Sequence, residues 1–166
     1  MRFKETVLSL AALACIAGAV TARADLSIGK LAPALVVKDL QGRVFDLQAA
    51  RGKWVIVSFW AQWCTPCREE MPMLNAFYRA HRGRHLAMIG LSVDGGSEMA
   101  KARKLAQKLS YPAAFYTEAT QNGFDAPDML PETVVIRPDG TVGAVFTGEG
   151  LTTKKLAAAL SKRAGQ

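Results

Sequence analysis

Apolar residues along the middle of the chain are spaced in a way that predicts alternating strands and helices. Residues 54–60 are almost all apolar, which is typical of a central strand covered on both faces. The predicted elements follow in the order strand 54–60, helix 65–80, strand 86–93, helix 98–108 with Ser97 as its cap, and strand 113–116. Such an alternation predicts a mostly parallel sheet with helices on both faces.

The flanking segments predict two hairpins and a last helix. The hairpins comprise strands 35–37 and 44–47 around the turn 39–42, and strands 133–136 and 141–146 around the turn 137–140. The second hairpin is expected to add an antiparallel edge to the sheet. Residues 117–130 have little periodicity and predict a loop with one helical turn, and residues 152–163 predict an amphipathic helix. No repeat or linker divides residues 25–166, so one domain is expected.

The first residues have the features of a secretory signal peptide. Arg2 and Lys4 precede an apolar run over 7–20, and Ala22-Arg23-Ala24 supplies a small-residue cleavage pattern. The run is shorter than the roughly 20 residues that a spanning helix needs. We therefore predict that residues 1–24 are a signal peptide removed on export to the periplasm. An uncleaved anchor in the inner membrane is the alternative.

Three cysteines occur in the chain, and their positions differ in meaning. Cys15 lies within the predicted signal peptide, in a poor match to a lipoprotein signal, and cleavage would remove it. Cys64 and Cys67 would then be the only thiols, at the start of the helix predicted from about residue 65. Free N–H groups and the positive dipole end at a helix start favour a thiolate. Such a lone pair in an exported protein indicates catalysis rather than a structural disulfide, although spacing alone also permits metal binding.

Basic residues outnumber acidic ones by 21 to 14, which gives a formal net charge of +7. Many lie in two segments, 101–108 and 154–163, with no interleaved aromatic residues and no nucleic-acid-binding motif. Nucleic acid is therefore not an expected partner. Solvated helix faces are the expected explanation, with a weak preference for acidic partners or anionic lipid as the alternative.

The residues around the cysteine pair carry a specific family resemblance. The chain resembles the thioredoxin superfamily and, within it, the exported TlpA/ResA/CcmG-like thiol-disulfide oxidoreductases. The resemblance implies a thioredoxin-like α/β fold, with a central mixed sheet flanked by helices and an added N-terminal β-hairpin. The matching residues are Gly29-Lys30-Leu31-Ala32-Pro33, Gly42, Phe45 to Leu47, Gly52-Lys53, Val57-Ser58-Phe59-Trp60-Ala61-Gln62-Trp63-Cys64-Thr65-Pro66-Cys67-Arg68-Glu69-Glu70-Met71-Pro72, Leu130-Pro131-Glu132-Thr133 and Asp139-Gly140.

The resemblance assigns roles to three of these positions, Cys64, Cys67 and Pro131. Cys64 resembles the exposed cysteine that exchanges with a partner, and Cys67 resembles the buried cysteine that resolves the mixed disulfide. Pro131 resembles the cis-proline that faces the CxxC motif and leaves the backbone of Leu130 free to pair with a substrate strand. An ordinary proline at a loop-to-strand junction is the alternative for Pro131.

Glu70 is the candidate proton carrier. Thioredoxin has a buried aspartate where this chain has Ser58, whereas the exported branch often has a glutamate at the position of Glu70. Cys67 and Glu70 are three residues apart and share one helix face. A carboxylate near a buried thiol can move its proton during exchange. The alternative is a first-turn acid that complements the helix dipole.

The remaining candidate residues surround the cysteines in the sequence. Trp63 is expected to flank the reactive surface and shield the cysteines, and Thr65 and Pro66 are expected to help set the reduction potential. Together with Leu130 they form the expected substrate contact. His81 and His85 are separated by Gly83 and are not expected to bind a metal.

By resemblance, we expect a reductase of disulfides in exported proteins that needs no cofactor. Apocytochrome c is an expected partner among exported thiol proteins, and a membrane thiol-electron carrier is the expected reductant. Two alternatives are open. A thiol peroxidase would need a Pro-x-x-x-Thr-x-x-Cys setting, whose Thr is missing before Cys64. A copper chaperone would bind Cu(I) through two thiolates, but the CxxxC and distant His of thioredoxin-fold copper proteins are missing.

Overall fold

The structure is a computed structural model that describes residues 26–83 and 85–161. The strands are β1 (Leu35–Lys38), β2 (Val44–Asp46), β3 (Trp54–Trp60), β4 (Leu86–Ser92), β5 (Ala113–Phe115), β6 (Ala119–Asn122), β7 (Glu132–Ile136) and β8 (Val142–Thr147). The helices are α1 (Thr65–His81), α2 (Met99–Ala106) and α3 (Thr153–Ala159), with 3-10 turns at Gly96–Glu98 and Tyr116–Glu118. The predicted signal peptide, residues 1–24, lies outside the described residues.

The apolar strand β3 lies at the centre of a five-stranded mixed sheet of order β5-β4-β3-β7-β8. It is parallel to β4, with Trp60 opposite Ser92, and antiparallel to β7, with Phe59 opposite Glu132. The predicted central strand and the antiparallel hairpin at the edge are confirmed. Because of this register, three segments of the chain meet at one end of the sheet. They are the segments that follow β3 and β4 and the segment that precedes β7.

The side chains of β3 divide between the two faces of the sheet. Val55, Val57 and Phe59 lie in the hydrophobic cluster that contains the buried residues of β1, whereas Ile56 and Trp60 lie in the two clusters that contain the buried residues of the helices. The expectation of helices on both faces is therefore wrong for the described residues. The connections β3-α1-β4 and β4-α2-β5 advance in the same direction across the sheet, so right-handed crossovers place both helices on one face.

A second, three-stranded antiparallel sheet of order β2-β1-β6 covers the other face. The predicted N-terminal hairpin is confirmed as β1 and β2. The loop predicted over 117–130 is wrong in part, because Ala119–Asn122 forms a strand that pairs with β1. This strand is short, its two central residues are exposed, and the Thr120 hydroxyl donates to the Val36 carbonyl at 3.2 Å. Its formation depends on the partner strand rather than on an apolar pattern of its own.

The first helix matches its predicted bounds, and the other two are shorter than predicted. In α1, the buried residues Cys67, Met71, Leu74 and Phe77 follow the expected helical spacing. Ser97 does not cap α2, because it lies inside a 3-10 turn; Glu98 precedes α2 and uses its carboxylate to bind Lys101 instead. The hydroxyl of Thr152 caps α3 by accepting the Lys155 N–H at 3.2 Å. No helix in the described ranges is both long enough and apolar enough to span a membrane.

Gly90 in β4 is predicted to be intolerant of a larger side chain. A Cβ there would lie 3.0 Å from Trp60 Nε1 and 3.0 Å from Tyr111 Cε2, between two buried aromatic rings. Gly90→Ala should lower the free energy of unfolding by about 1–3 kcal/mol, measured by urea denaturation, because it overpacks this face. Gly95→Ala is the matched control, since a Cβ there meets nothing within 4 Å. Equal midpoints for the two variants would contradict the prediction.

Candidate active site

Cys64 occupies the position immediately before α1, at the edge where the strand ends meet. Its backbone is extended, and its Sγ accepts the backbone N–H of Cys67 at 3.2 Å. Pro66 lies within the first turn of the helix, where its missing N–H removes no helical hydrogen bond. The start of α1 therefore directs an N–H and the positive end of the helix dipole at the sulfur of Cys64, which favours its thiolate after reduction.

Cys64 and Cys67 are joined by a disulfide with an S–S distance of 2.02 Å. The exposed fraction is 5% for Cys64 and 2% for Cys67. Burial of Cys67 agrees with the expectation, whereas the expectation that Cys64 is exposed is wrong for the disulfide-bonded form. Both residues belong to a hydrophobic cluster that includes Trp60 and Met71. The bond to Cys67 and this packing hold Cys64 against the helix start.

The peptide bond between Leu130 and Pro131 is cis, as the resemblance implied. Pro131 is buried, and its carbonyl accepts the Gly148 N–H at 2.8 Å. Leu130 is half-buried and packs against the cluster that contains both cysteines. The structure therefore brings this loop beside the disulfide, immediately before β7 begins at Glu132.

The motif residues that surround the cysteines differ in exposure. Trp63 has 60% of its surface exposed, so it forms a large apolar feature directly before Cys64. Thr65 is exposed and its hydroxyl accepts from Arg68 Nη2 at 3.1 Å, whereas Pro66 is half-buried. All three lie at the end of the sheet where the disulfide lies.

Glu70 lies in the second turn of α1, so the alternative of a first-turn acid is wrong. It is half-buried, and its Oε1 accepts the Leu151 N–H at 3.3 Å. Burial raises the pKa of the Glu70 carboxyl above its ordinary value of 4.5, and the negative charge of Glu149 adds to the rise. The Leu151 hydrogen bond and the Lys155 charge oppose it. Among the described residues, no hydrogen bond joins Glu70 to a cysteine sulfur.

The hydroxyl of Tyr111 is a buried polar group close to Glu70. It has no hydrogen-bond partner within the described part of the chain. Burial raises the pKa of this hydroxyl, and the charge of Glu70 raises it further. Glu70 therefore lies in a partly desolvated surrounding beside a buried hydroxyl, which is the condition that raises the pKa of a carboxyl.

Asp94 is not among the candidate residues of the sequence analysis, but its carboxyl supports the active-site loop. Asp94 is 2% exposed, and its Oδ2 accepts the Gln62 N–H and the Ser92 hydroxyl, both at 2.8 Å. The side chain of Gln62 also donates to Glu98. The sequence held one signal for this contact: residues that follow two parallel neighbouring strands lie side by side, and Asp94 follows β4 as Gln62 follows β3.

A second carboxyl at this edge, that of Glu132, directly follows the cis-proline. Burial raises the pKa of Glu132, and the charge of Asp128 adds to this, while the side chain of Thr147 opposes it. Glu132 is half-buried at the start of β7. The resemblance singled out its neighbours Leu130 and Pro131 and gave Glu132 no role.

A disulfide at the start of a helix, after the central strand of a mixed sheet and beside a cis-proline loop, defines a thioredoxin-like thiol-disulfide oxidoreductase. The chain belongs to the AhpC/TSA family, whose profile matches residues 28–145.

Comparisons with known proteins agree with this class. The chain is 33% identical over 124 residues to thiol-disulfide oxidoreductase ResA of Bacillus anthracis, covering 75% of this chain and 72% of that protein. It is 31% identical over 127 residues to ResA of Bacillus subtilis strain 168, covering 75% and 69% of the two chains. A crystal structure from Chlorobium tepidum, described as a candidate thiol:disulfide interchange protein DsbE, has a TM-score of 0.70 at 22% identity. That match covers 82% of this chain and 100% of the other, and it shows the fold.

Loss of the Asp94 carboxyl should loosen the loop before Cys64. In Asp94→Ala, the Gln62 N–H and the Ser92 hydroxyl lose a buried acceptor. We expect the free energy of unfolding to fall by about 1–3 kcal/mol in urea denaturation, because unpaired buried donors are costly. Asp94→Asn retains an oxygen acceptor and should lose less. A midpoint unchanged in Asp94→Ala would show that the contact does not support the loop.

Proposed function

We propose that this thiol-disulfide oxidoreductase works as a reductase of disulfides in exported proteins. The observation that carries the proposal is the Cys64–Cys67 disulfide at the start of α1, where the Cys67 N–H contacts the sulfur of Cys64. This placement favours a Cys64 thiolate after reduction. The names of the ResA relatives support the same class of chemistry.

In the proposed cycle, the Cys64 thiolate of the reduced protein attacks one sulfur of a partner disulfide. The partner disulfide breaks, a mixed disulfide forms, and the released partner sulfur takes up a proton. Cys67 then loses its proton and attacks Cys64, which frees the second partner thiol and restores the Cys64–Cys67 disulfide. Two electrons have passed to the partner. A membrane thiol-electron carrier would supply two electrons to begin the next cycle.

The partner would bind across the exposed residues around the disulfide. Trp63, with 60% of its surface exposed, offers an apolar contact. Thr65 and Pro66 lie at the helix start, and Leu130 precedes the β7 ladder, which begins at Glu132. The backbone of Leu130 is therefore outside that ladder and is positioned, in this proposal, to pair with an extended partner segment.

Export is part of the proposal. It rests on the signal-peptide pattern of residues 1–24 and on the cysteine content of the remaining chain. The protein would act in the periplasm, tethered to the inner membrane if the signal is not cleaved. Apocytochrome c, whose haem-attachment motif carries a pair of cysteines with two residues between them, is the proposed partner among exported proteins.

The reduction potential of the Cys64–Cys67 couple tests the direction of transfer. A reductase should have a potential near the value of about −270 mV for thioredoxin, whereas a value near about −120 mV, as in DsbA, would overturn the reductase assignment. Equilibration with glutathione or dithiothreitol at known ratios, followed by alkylation and mass spectrometry, measures it. Peroxide consumption and Cu(I) binding on the same sample test the peroxidase and copper-chaperone alternatives.

Glu70 is proposed as the proton acceptor for Cys67, and its raised pKa gives a signed pH prediction. Ionised Glu70 can accept the proton, so the resolving step should accelerate as pH rises through a value above 4.5. Glu70→Gln should slow that step by roughly 10²-fold and remove this rise. Rapid-mixing fluorescence of the reduced protein with a partner disulfide over a pH series measures both.

Glu69→Gln is the matched control, because Glu69 is the exposed neighbour on the same helix. The fold should survive Glu70→Gln. Burial makes the ionised carboxyl unfavourable, and a Gln side chain keeps an oxygen that can accept the Leu151 N–H, so the substitution should cost little stability at neutral pH. An unchanged pH–rate profile in Glu70→Gln would remove Glu70 from the mechanism.

A further inference from the structure

A basic groove of about 220 Å³ lies between α1 and α2, next to the active site. The residues that line it are Gln62, Arg68, Lys101, Lys104, Leu105 and Lys108. Four of these six side chains are cationic and none is acidic. The groove is therefore a concave surface of one charge sign, whereas a merely solvated helix face would be convex and need not adjoin a reactive group.

Few acidic groups neutralise this groove. Glu98 approaches Lys101 at 3.2 Å with both carboxylate oxygens. Within the described residues, Lys104 and Lys108 form no ion pair. On α1, Glu69 is exposed beside Arg68, and Glu70 is directed to Leu151. The part of the groove that Lys104 and Lys108 line therefore keeps a net positive charge.

The groove is physically continuous with the cysteine pair. Arg68 contacts the Thr65 hydroxyl at 3.1 Å, and Thr65 lies between the two cysteines. Gln62 lies two residues before Cys64, and its backbone is fixed by Asp94. An extended polypeptide advances about 3.3 Å per residue. A partner whose sulfur reaches Cys64 would therefore place residues a few positions from its cysteine over the lysines.

We propose that this groove binds an acidic segment of the partner polypeptide, rich in Asp or Glu, that flanks the partner's reactive cysteine. The inference deepens the proposed function and rests on it. A polypeptide fits better than a membrane surface, because the charge lines a concavity beside a disulfide that must receive a cysteine. Lysine and arginine side chains there would attract the acidic segment and raise its association rate, an effect that salt weakens.

Two synthetic peptides with the same internal disulfide test the proposal. One carries Asp and Glu beside a cysteine, and the other carries Asn and Gln at those positions. The reduced wild-type protein should reduce the acidic peptide about 10-fold faster in second-order rate constant at low salt. The preference should disappear near 1 M salt, where the screening length is about 3 Å. Equal rate constants for the two peptides at low salt would overturn the proposal.

Charge-reversal variants test whether the preference for the acidic peptide comes from the groove. Lys104→Glu/Lys108→Glu should lower the acidic-to-neutral rate ratio to about one or below. Lys38→Glu/Lys154→Glu makes the same change in net charge at exposed positions outside the groove and should retain the wild-type ratio. An equal fall of the rate ratio in both variants would assign the preference to the overall charge of the protein and overturn the groove proposal. Urea denaturation of both variants, with midpoints matching wild type, shows that each is folded.

The peptide assay also separates a failure of the proposed function from a failure of the groove proposal. If wild-type protein reduces neither peptide, the proposed function fails and the groove fails with it. If both peptides are reduced equally, the function stands and the groove proposal alone is overturned. Sedimentation with phosphatidylglycerol vesicles is the third arm. Loss of vesicle binding in Lys104→Glu/Lys108→Glu with an unchanged peptide ratio would make the groove a membrane contact and overturn the proposal.

Discussion

The parallel pairing of β3 with β4 is the constraint on which the active site depends. With Trp60 opposite Ser92, both strands end together, and the loop after β3 lies beside Asp94. The buried carboxyl of Asp94 then holds the backbone of Gln62 at 2.8 Å. A one-residue shift in this ladder would turn every side chain of β3 to the opposite face and separate these two loops. The position of Cys64 at the start of α1 follows from this register.

The site combines two opposing environments within a short distance along α1. At the start of the helix, an N–H and the helix dipole favour negative charge on Cys64. In its second turn, burial makes negative charge on Glu70 unfavourable, which raises its pKa. A thiol that ionises easily and a carboxyl that holds its proton longer are suited to different steps of one exchange cycle. The helix α1 supplies both environments. Its start presents a backbone N–H to the sulfur of Cys64, and its second turn packs against the segment before α3.

The local features of this protein were predictable from neighbouring residues, the family resemblance supplied the cis-proline, and several other contacts between distant segments were not predicted. The apolar run of β3 and the helical spacing after Cys64 depend on neighbouring residues, so the sequence predicted strand, helix and cysteine placement correctly. The strand β6 is mostly polar and only partly covered, and it exists through its pairing with β1, so no pattern indicated it. The sequence shows that strands and helices alternate, but it does not show on which side of β3 each new strand is added. Helices on both faces were expected because the face of each helix depends on that direction. Asp94 and the contact between Glu70 and Leu151 likewise depend on chain segments that meet only in the fold.

The small exposed fraction of Cys64, 5%, has a consequence for kinetics. A cysteine that is almost wholly covered in the disulfide form offers a narrow approach to a free small thiol diffusing in solution. We therefore expect slow exchange with the bulk thiol pool, even when it is thermodynamically favourable. The redox state of the couple would then follow the partners whose shape opens an approach to the sulfur. The choice of partner in such a protein would depend on steric access to the sulfur as well as on the reduction potential of the cysteine pair.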